Sequence, residues 1–206
     1  MDLKTAIESR TSIRKFSDIP VDISDIREII RLAGFAPSIN NYQPWKYYVI
    51  LNKETLNKMA DAVTREIAKL PEKNTRFSKL LKNQTAWFSS FFRDAPMLIA
   101  LTSHAYENVL EKGVVINHDE LDKINNYPDL QSSGASIQNL LLAATAKGYG
   151  TCWMTGPLFA REKIQEILDI KEPWKLISFV AIGHAEAKSL KKRDKRDISK
   201  ELVIID

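Results

Sequence analysis

The stretch at residues 129–146 constrains the fold most strongly. Its apolar side chains recur with the period of an α-helix, and small residues stand between them. The resulting apolar surface is wider than a helix needs when one side faces water. We therefore expect a helix over residues 129–146, buried at the centre of the fold. Its apolar side comprises Leu130, Ile137, Leu140, Leu141 and Ala144.

Short helical and β-rich stretches alternate along the rest of the chain. Apolar residues at helical spacing predict helices over residues 3–9, 25–33, 53–70, 77–93 and 159–168, with Ser24 as N-cap of the second. Aromatic and β-branched runs predict strands over residues 45–51, 97–102, 151–154 and 176–182, and allow a final strand over 203–205. Without an internal repeat or a linker, we expect one α+β domain over residues 1–206 with four or five strands.

Two stretches leave alternatives open. The large side chains of residues 77–93 pack in the core or against a second copy, or they form a lid or wall over a substrate pocket. They are Phe77, Leu80, Leu81, Trp87, Phe88, Phe91 and Phe92. Residues 103–127 are polar and lack a clear period, which fits a loop with a short helix.

Two segments carry donor groups of different kinds. Residues 10–16 read Arg-Thr-Ser-Ile-Arg-Lys-Phe, so Arg10 and Arg14 bracket two hydroxyl groups. Guanidinium groups with short hydroxyl donors suit a phosphate. Residues 36–45 read Ala-Pro-Ser-Ile-Asn-Asn-Tyr-Gln-Pro-Trp, and their uncharged amides and hydroxyls suit the edge of a planar heterocycle. The pair indicates a phosphorylated aromatic cofactor whose phosphate and ring are held by different segments.

These two segments resemble the paired motifs of the FMN-dependent nitroreductase-like oxidoreductases, and they stand about one helix apart, as in that family. The resemblance continues at Asp94-Ala95-Pro96, through residues 134–144, and at residues 148–153, which read Gly-Tyr-Gly-Thr-Cys-Trp. It therefore extends over nearly the whole chain. It implies the nitroreductase-like fold, with a central, mostly antiparallel sheet flanked by helices, in a homodimer with flavin sites at the interface.

The resemblance also implies a cofactor and a reaction. FMN would pass a hydride from NADH or NADPH, a transient cosubstrate, to a nitroaromatic, a quinone or a similar small planar acceptor. Because the flavin carries this chemistry, no catalytic side chain is assigned. A specialised relative is one alternative, either a flavin-fragmenting enzyme of cobalamin-ligand synthesis or a dehalogenase. A protein that stores or delivers FMN without turnover is another.

The same resemblance assigns cofactor-binding residues. The first segment contributes Arg10, Thr11 and Ser12 at the phosphate, and Arg14 near N1 and O2 of the flavin ring. The second contributes Pro37, Ser38, Ile39, Asn41 and Gln43, of which Pro37, Ser38 and Asn41 reach the flavin from the other subunit. Backbone groups of Thr151, Cys152 and Trp153, and on to Gly156, would contact flavin N5. Residues 88–92 are apolar or carry a small hydroxyl where some members place Asn and Lys, which predicts an aromatic-lined pocket.

Much of the net charge of +4 lies in residues 188–196, which hold six Lys or Arg residues and one Asp. This run is a solvated tail or, by the resemblance, a clamp on the cofactor phosphate formed by Arg193, Lys195 and Arg196. Asp197 stands where the family carries proline, which leaves the register open by one residue. No aromatic residues interleave with these charges, so we expect no nucleic-acid partner.

Other classes of protein fit the sequence poorly. The three histidines lie too far apart for a short zinc-ligand pattern, and no Gly-x-Gly-x-x-Gly turn is present for a resident dinucleotide. No apolar run has the length of a membrane span, so we expect no membrane partner. The opening residues show no signal-peptide pattern and the single cysteine, Cys152, cannot form an internal disulfide, so a cytoplasmic location is expected.

Overall fold

In the computed structural model, which describes residues 1–106, 109–186 and 194–205, a four-stranded sheet lies between two helical layers. The α-helices are α1 (Leu3–Ser9), α2 (Ile23–Ala33), α3 (Lys53–Lys69), α4 (Arg76–Ser90), α5 (His118–Ile124), α6 (Pro128–Ala146) and α7 (Arg161–Ile167). The strands are β1 (Trp45–Ile50), β2 (Met97–Ser103), β3 (Gly150–Met154) and β4 (Lys175–Gly183). Short 3₁₀ turns include Ile39–Asn41, Phe91–Asp94, Val109–Lys112 and Gly156–Ala160.

The sheet has the order β1-β2-β4-β3, and every neighbouring pair is antiparallel. The expected α+β fold with a mostly antiparallel sheet of four to five strands is therefore confirmed. Each residue of β2 is buried, because this strand is covered on both faces and has a neighbour on either side. As a result β1 and β3 are the two edges of the sheet, about three interstrand steps or roughly 14 Å apart.

Two apolar cores lie on opposite faces of the sheet. Leu98 and Ala100 of β2 pack into a core shared with α3, α7 and the turn at residues 91–94. The alternate residues Met97, Ile99 and Leu101 pack into a second core shared with α2 and α6. Because side chains of a strand alternate between faces, the continuous apolar run of β2 supplies both cores.

Helix α6 is buried where it crosses the sheet, as expected. Its small residues let it approach closely: Ser133 and Ser136 are fully buried, and Ser136 shares a hydrogen bond with the Tyr47 hydroxyl of β1. The expectation for Leu130 is wrong, since this residue is 44% exposed. Leu130 belongs to the first turn, where neighbouring groups of α6 meet the polar Ser103 rather than apolar side chains of the sheet.

Several predicted boundaries need correction. Helix α2 is capped by Asp22, whose carboxylate accepts a hydrogen bond from the Ser24 N–H, so Ser24 lies inside the helix. The predicted helix over 77–93 ends at Ser90 and continues as a 3₁₀ turn. Residues 103–127 contain a 3₁₀ turn and α5, in agreement with a loop and a short helix. Residues 203–205 form no strand and are exposed. Their β-branched side chains favour a strand, but a strand also needs a sheet edge to pair with.

The aromatic stretch divides into two parts. Phe91 and Phe92 are buried, and Phe92 stacks on Phe179 of β4 with ring centroids 6.4 Å apart. The large side chains of α4 itself are exposed, so packing in the core of the same chain is wrong for them; they are Phe77, Leu80, Leu81, Trp87 and Phe88. Two alternatives remain for these side chains: contact with a second copy, or a lid or wall over a substrate pocket.

No helix within the described residues is long and apolar enough to cross a lipid bilayer.

Candidate functional site

The segment at residues 10–16 lies along the outer edge of β3. Ser12 forms a parallel bridge with Thr151, and the Ile13 N–H donates to the Thr151 carbonyl at 2.8 Å. Ile13 is buried and fixes the segment against the sheet. The close approach depends on Gly150, because a methyl group on its Cα would lie only 2.8–3.0 Å from three side-chain atoms of Ile13. The sequence thus brings residues 10–14 and 151–153 together, as the resemblance implies.

Two guanidinium groups and a hydroxyl gather around Cys152. Burial raises the pKa of the Cys152 thiol, while the charge of Arg14, a hydrogen bond with Ser12 and the charge of Arg10 act to lower it, in that order. The arginines that form ion pairs in the described part of the chain are Arg31, Arg93 and Arg196 rather than Arg10 or Arg14. Positive charge without a carboxylate partner at a sheet edge is the arrangement that binds an anion.

The C-terminal end of α4 closes one side of this group. The Arg14 guanidinium lies over the Phe88 ring, with 5.5 Å from Cζ to the ring centroid. Ser89 is buried against Gly156, where a Cβ would collide with the serine side chain. The sequence predicts neither contact, although residues 88–92 lack the polar groups that some family members carry there. The Phe88 ring thus forms an aromatic surface beside Arg14, and the aromatic-lined pocket stays a prediction.

Trp153 stands on the face of β3 that looks towards α6. Its indole N–H donates to the buried Ser178 hydroxyl, which in turn donates to the Met154 carbonyl at 3.1 Å. Gly134 of α6 leaves room for the ring, whose nearest carbon would lie 3.9 Å from a Cβ atom at position 134. Trp153 is nevertheless 43% exposed. A large ring that is fixed at one end and exposed at the other offers an apolar surface to a ligand or a second copy.

Thr151 carries a buried hydroxyl without a partner. Its Oγ1 is shielded from solvent, and none of the described groups forms a hydrogen bond with it. A buried hydroxyl in that state costs free energy relative to an apolar group of the same shape. The cost is offset when a bound ligand supplies the missing partner.

Thr151→Val is therefore expected to increase the free energy of unfolding of the ligand-free protein by about 0.5–1 kcal/mol, since valine fills the same space without an unpaired hydroxyl. Urea unfolding of protein stripped of small molecules provides the measurement. Thr145→Val is the matched control, because the Thr145 hydroxyl donates to the Leu141 carbonyl at 2.8 Å and its removal gives no such gain. Equal losses of stability in both variants would contradict the assignment of an unpaired hydroxyl.

The second segment forms a tight loop at the opposite side of the sheet, just before β1. Asn40, Asn41 and Gln43 all have left-handed backbone conformations, with φ of 47°, 55° and 51°. Such conformations are uncommon outside glycine and are best tolerated by Asn. Ser38 stabilises the loop by accepting a hydrogen bond from the Gln43 N–H at 3.0 Å, and the Gln43 amide donates to Asn41 Oδ1 at 3.2 Å.

Residues from elsewhere in the chain hold this loop in place. The Ile39 N–H donates to the Ser132 hydroxyl of α6 at 3.2 Å, and the Asn40 amide donates to the buried Tyr106 hydroxyl. Sequence reasoning missed both partners, because Ser132 and Tyr106 lie far away along the chain in stretches without a motif. Pro37 and Asn41 are exposed, which leaves them available to another molecule.

A cavity of about 660 Å³ opens beside the loop. One wall is the loop, the second is the beginning of α6, and the third comes from the stretch that follows β2. The lining residues are Pro37, Ser38, Ile39, Asn40, Tyr106, Val109, Asn125, Pro128, Gln131, Ser132 and Ala135. The walls combine amides and hydroxyls with apolar surface, as sites for small organic ligands do.

The two segments lie at opposite edges of the sheet. Residues 10–14 adjoin β3, and residues 37–43 lead into β1. With β2 and β4 between these strands, one chain does not bring its own two segments to a single small ligand.

The C-terminal basic residues contribute little that can be described. Arg193 lies outside the described residues. Lys195 and Arg196 are exposed, and Arg196 forms an ion pair with Glu201 at 3.1 Å. The contacts of the described residues do not join either of them to Arg10, so their role at a phosphate stays a prediction.

Known proteins resemble this chain over most of its length. A relative from Archaeoglobus fulgidus whose name includes NAD(P)H nitroreductase is 29% identical over 185 residues, which is 86% of this chain and 82% of that protein. An iodotyrosine deiodinase from Nematostella vectensis is 26% identical, over 87% of this chain and 65% of its own length. The crystal structure of a BluB-like flavoprotein from Clostridium difficile superposes with a TM-score of 0.89 at 27% identity, and each chain is covered completely.

The family model described as the nitroreductase family matches residues 7–184. That range contains both donor segments, the four strands and the α-helices of the described residues, apart from the first residues of α1. The resemblance inferred from the motifs is thereby confirmed, and the chain belongs to the nitroreductase family.

Proposed function

We propose that this chain is an FMN-dependent oxidoreductase that transfers a hydride from NADH or NADPH to a nitroaromatic, a quinone or a similar planar acceptor. The observation that carries the proposal is the group formed by Arg10, Ser12 and Arg14 beside β3, because it supplies positive charge and a hydroxyl without a carboxylate partner. The names of the relatives, which include NAD(P)H nitroreductase and flavoprotein, support it.

The residues fit FMN in their chemistry. Arg10, Thr11 and Ser12 provide donors for a phosphate, and the unpaired Thr151 hydroxyl provides one more group for a polar ligand atom. Arg14 provides the charge for the pyrimidine edge of the ring, and Phe88 keeps its guanidinium oriented. Backbone groups of residues 151–153 and of Gly156 complete the set. Arg193, Lys195 and Arg196 are proposed as a clamp on the phosphate.

We further propose that the protein works as a homodimer. The separation of the two donor segments across the sheet supports it, because a second copy can bring Pro37, Ser38, Ile39, Asn41 and Gln43 to the residues 10–14 of the first. The exposed aromatic side chains of α4 and the exposed part of Trp153 supply apolar surface for that interface or for the acceptor. A reducing cytoplasm suits the single, buried and unpaired Cys152.

When bound, FMN supplies the hydride-transfer chemistry. The tasks of the chain are then to hold, orient and shield. Arg14 stabilises negative charge at the edge of the ring, Gly156 and Ser89 set the width of the site, and Phe88 with Trp87 excludes water from one side. No side chain is required to donate or accept a proton in the reductive half of the cycle.

A specialised reaction is the second candidate. The similarity to a BluB-like flavoprotein and to an iodotyrosine deiodinase favours it, since neither name is that of a nitroreductase. FMN binding is common to both candidates, whereas turnover with simple nitroaromatic or quinone acceptors distinguishes the first. A flavin-storage protein would bind FMN without rapid turnover.

The visible absorption spectrum of the purified protein tests the proposal. We expect a flavin spectrum that bleaches on anaerobic addition of NADH or NADPH and returns when menadione is added. A flavin spectrum that neither nicotinamide bleaches would favour the specialised or storage alternatives. A colourless protein that takes up no added FMN would overturn the proposal.

A further inference from the structure

His118 lies at the centre of a charged cluster beside the cavity at residues 37–40. Its Nδ1 is 3.0 Å from Glu111 Oε1 on the 3₁₀ turn at Val109–Lys112, and its Nε2 is 3.3 Å from Asp122 Oδ2 on α5. The side chain is about two-thirds buried, with 32% of it exposed. The His118 side chain therefore connects α5 to the 3₁₀ turn that precedes it in the chain.

Both elements contribute to the cavity. Val109 begins the 3₁₀ turn, and Asn125 is the C-cap of α5. The α5 end of this wall is fastened to α6, because the Gln131 amide donates to the carbonyl groups of Asn125 at 3.2 Å and Asn126 at 2.8 Å. The contact of His118 with Glu111 connects the turn to α5, and it therefore bears on the position of Val109 relative to Asn125.

We propose that His118 is the positioning residue of this cavity wall: as an imidazolium it joins Glu111 to Asp122, and it thereby sets the width of the subsite that takes the planar acceptor. The assignment of the acceptor to this cavity rests on the proposed function. The remainder rests on the cluster itself, since Nδ1 contacts Glu111 across the gap between the two elements, and a charged ring is attracted by both carboxylates.

The charges around His118 make this contact dependent on pH. The groups that face it are Glu111 from the turn and Asp119 and Asp122 from α5, with Asp129 of α6 behind Asp122. A hydrogen bond to Glu111 raises the pKa of His118, burial opposes the rise, and the charges of Asp122, Glu111 and Asp119 add to it. Burial raises the pKa of Asp122, against the effect of His118.

The pKa of His118 in the folded protein lies above its ordinary value of 6.5, so the ring stabilises the wall more at low pH than at high pH. The stabilisation from the charged ring is fully present below pH 6.5 and is lost as the pH rises through the raised pKa of His118. Above that pKa the ring is neutral, so its contact with Glu111 is no longer charge-assisted, and the charges of Glu111 and Asp122 repel each other without a cation between them. The wall is then expected to loosen.

Two measurements test this inference in the full-length protein. A titration of the ring signals by NMR is simple because the chain has only three histidines, and His118→Gln identifies the signal of His118. Hydrogen exchange of residues 109–125 at pH 6 and pH 8.5, corrected for intrinsic rates, reports on the wall. We expect a His118 pKa above 6.5. In the wild type, hydrogen exchange of this wall should be faster at pH 8.5 than at pH 6. In His118→Gln it should be fast at both pH values.

Kinetics give the functional readout. For the FMN-loaded protein, the KM for menadione is expected to rise up to about fivefold from pH 6 to pH 8.5, while the KM for NADH changes less. His118→Gln should remove most of this dependence, and Asp122→Asn should weaken it. His184→Gln is the matched control, because His184 packs against Tyr149, far along the chain from the cluster, and should keep the wild-type profile.

The outcomes separate the two proposals. A protein that binds no flavin but shows the titration and exchange behaviour of His118 would overturn the proposed function and leave the role of His118 in the wall supported. An active flavoprotein whose menadione KM keeps its pH dependence in His118→Gln would overturn the present inference alone. A His118 pKa at or below 6.5 with exchange that does not depend on pH would also overturn it.

Discussion

Replacement of Arg10 by alanine is expected to weaken the binding of FMN by about 2–3 kcal/mol, because a charge-assisted contact to a phosphate is lost. This corresponds to roughly a 30- to 150-fold increase in the dissociation constant. The effect is large because Arg10 forms no ion pair with the described residues, so its charge is not already neutralised within the chain. Fluorescence titration of the ligand-free protein with FMN measures the change.

Arg31→Ala is the matched control for this prediction. Arg31 is exposed and pairs with Glu28 at 2.7 Å on the surface of α2, away from residues 10–14. Its removal should change FMN affinity little. Riboflavin, which lacks the phosphate, gives a second comparison, since its binding should be nearly equal in the wild type and in Arg10→Ala. Unchanged FMN affinity in Arg10→Ala would exclude Arg10 from the phosphate site.

Gly150→Ala is the second change with a large expected effect. A methyl group at this position meets Cβ, Cγ1 and Cγ2 of Ile13 at 2.8–3.0 Å, and a branched side chain close to its own backbone cannot swing away. Overpacking of this kind lowers the free energy of unfolding by about 1–3 kcal/mol. Because Arg10 and Arg14 belong to the same segment as Ile13, we also expect a loss of FMN affinity.

Thermal or urea unfolding and FMN titration together measure this effect. Gly113→Ala is the matched control, because a Cβ there has no heavy atom within 4 Å. The double change Gly150→Ala with Ile13→Val removes one methyl group from the contact and should recover part of both losses. Wild-type stability and affinity in Gly150→Ala would show that residues 10–14 do not depend on the close approach to β3.

The elements that the sequence predicts best are those with a long and regular pattern. The predicted helix over residues 129–146 and the predicted strand over residues 97–102 correspond closely to α6 and β2. Segments that are apolar on most sides are stable only when they are buried, so their patterns are easy to interpret. The cap of α2 was misplaced by two residues, since Asp22 and Ser24 are both favourable cap residues and only their hydrogen bond distinguishes them. Residues 203–205 have β propensity, but strand formation depends on a partner edge that local sequence does not specify.

Prediction of the site was limited by long-range contacts. The donor chemistry of residues 10–14 and 36–45 was recognisable, because it resides in adjacent residues. The neighbours that hold these residues were not, since Phe88 reaches Arg14 and Tyr106 reaches Asn40 only through the tertiary structure. His118 stood alone in the sequence, and its two carboxylate partners became apparent only when the turn and α5 were placed together.

The location of the two donor segments at opposite edges of the sheet has a consequence for inheritance. In the proposed dimer each site combines residues 10–14 of one copy with residues 37–43 of the other. An allele with Arg10→Ala and an allele with Asn41→Ala, each of which weakens every site when it is expressed alone, would then complement each other in one cell. Random assortment of the two products places one intact site in every mixed dimer, or about a quarter of all sites, whereas two alleles damaged in the same segment restore none.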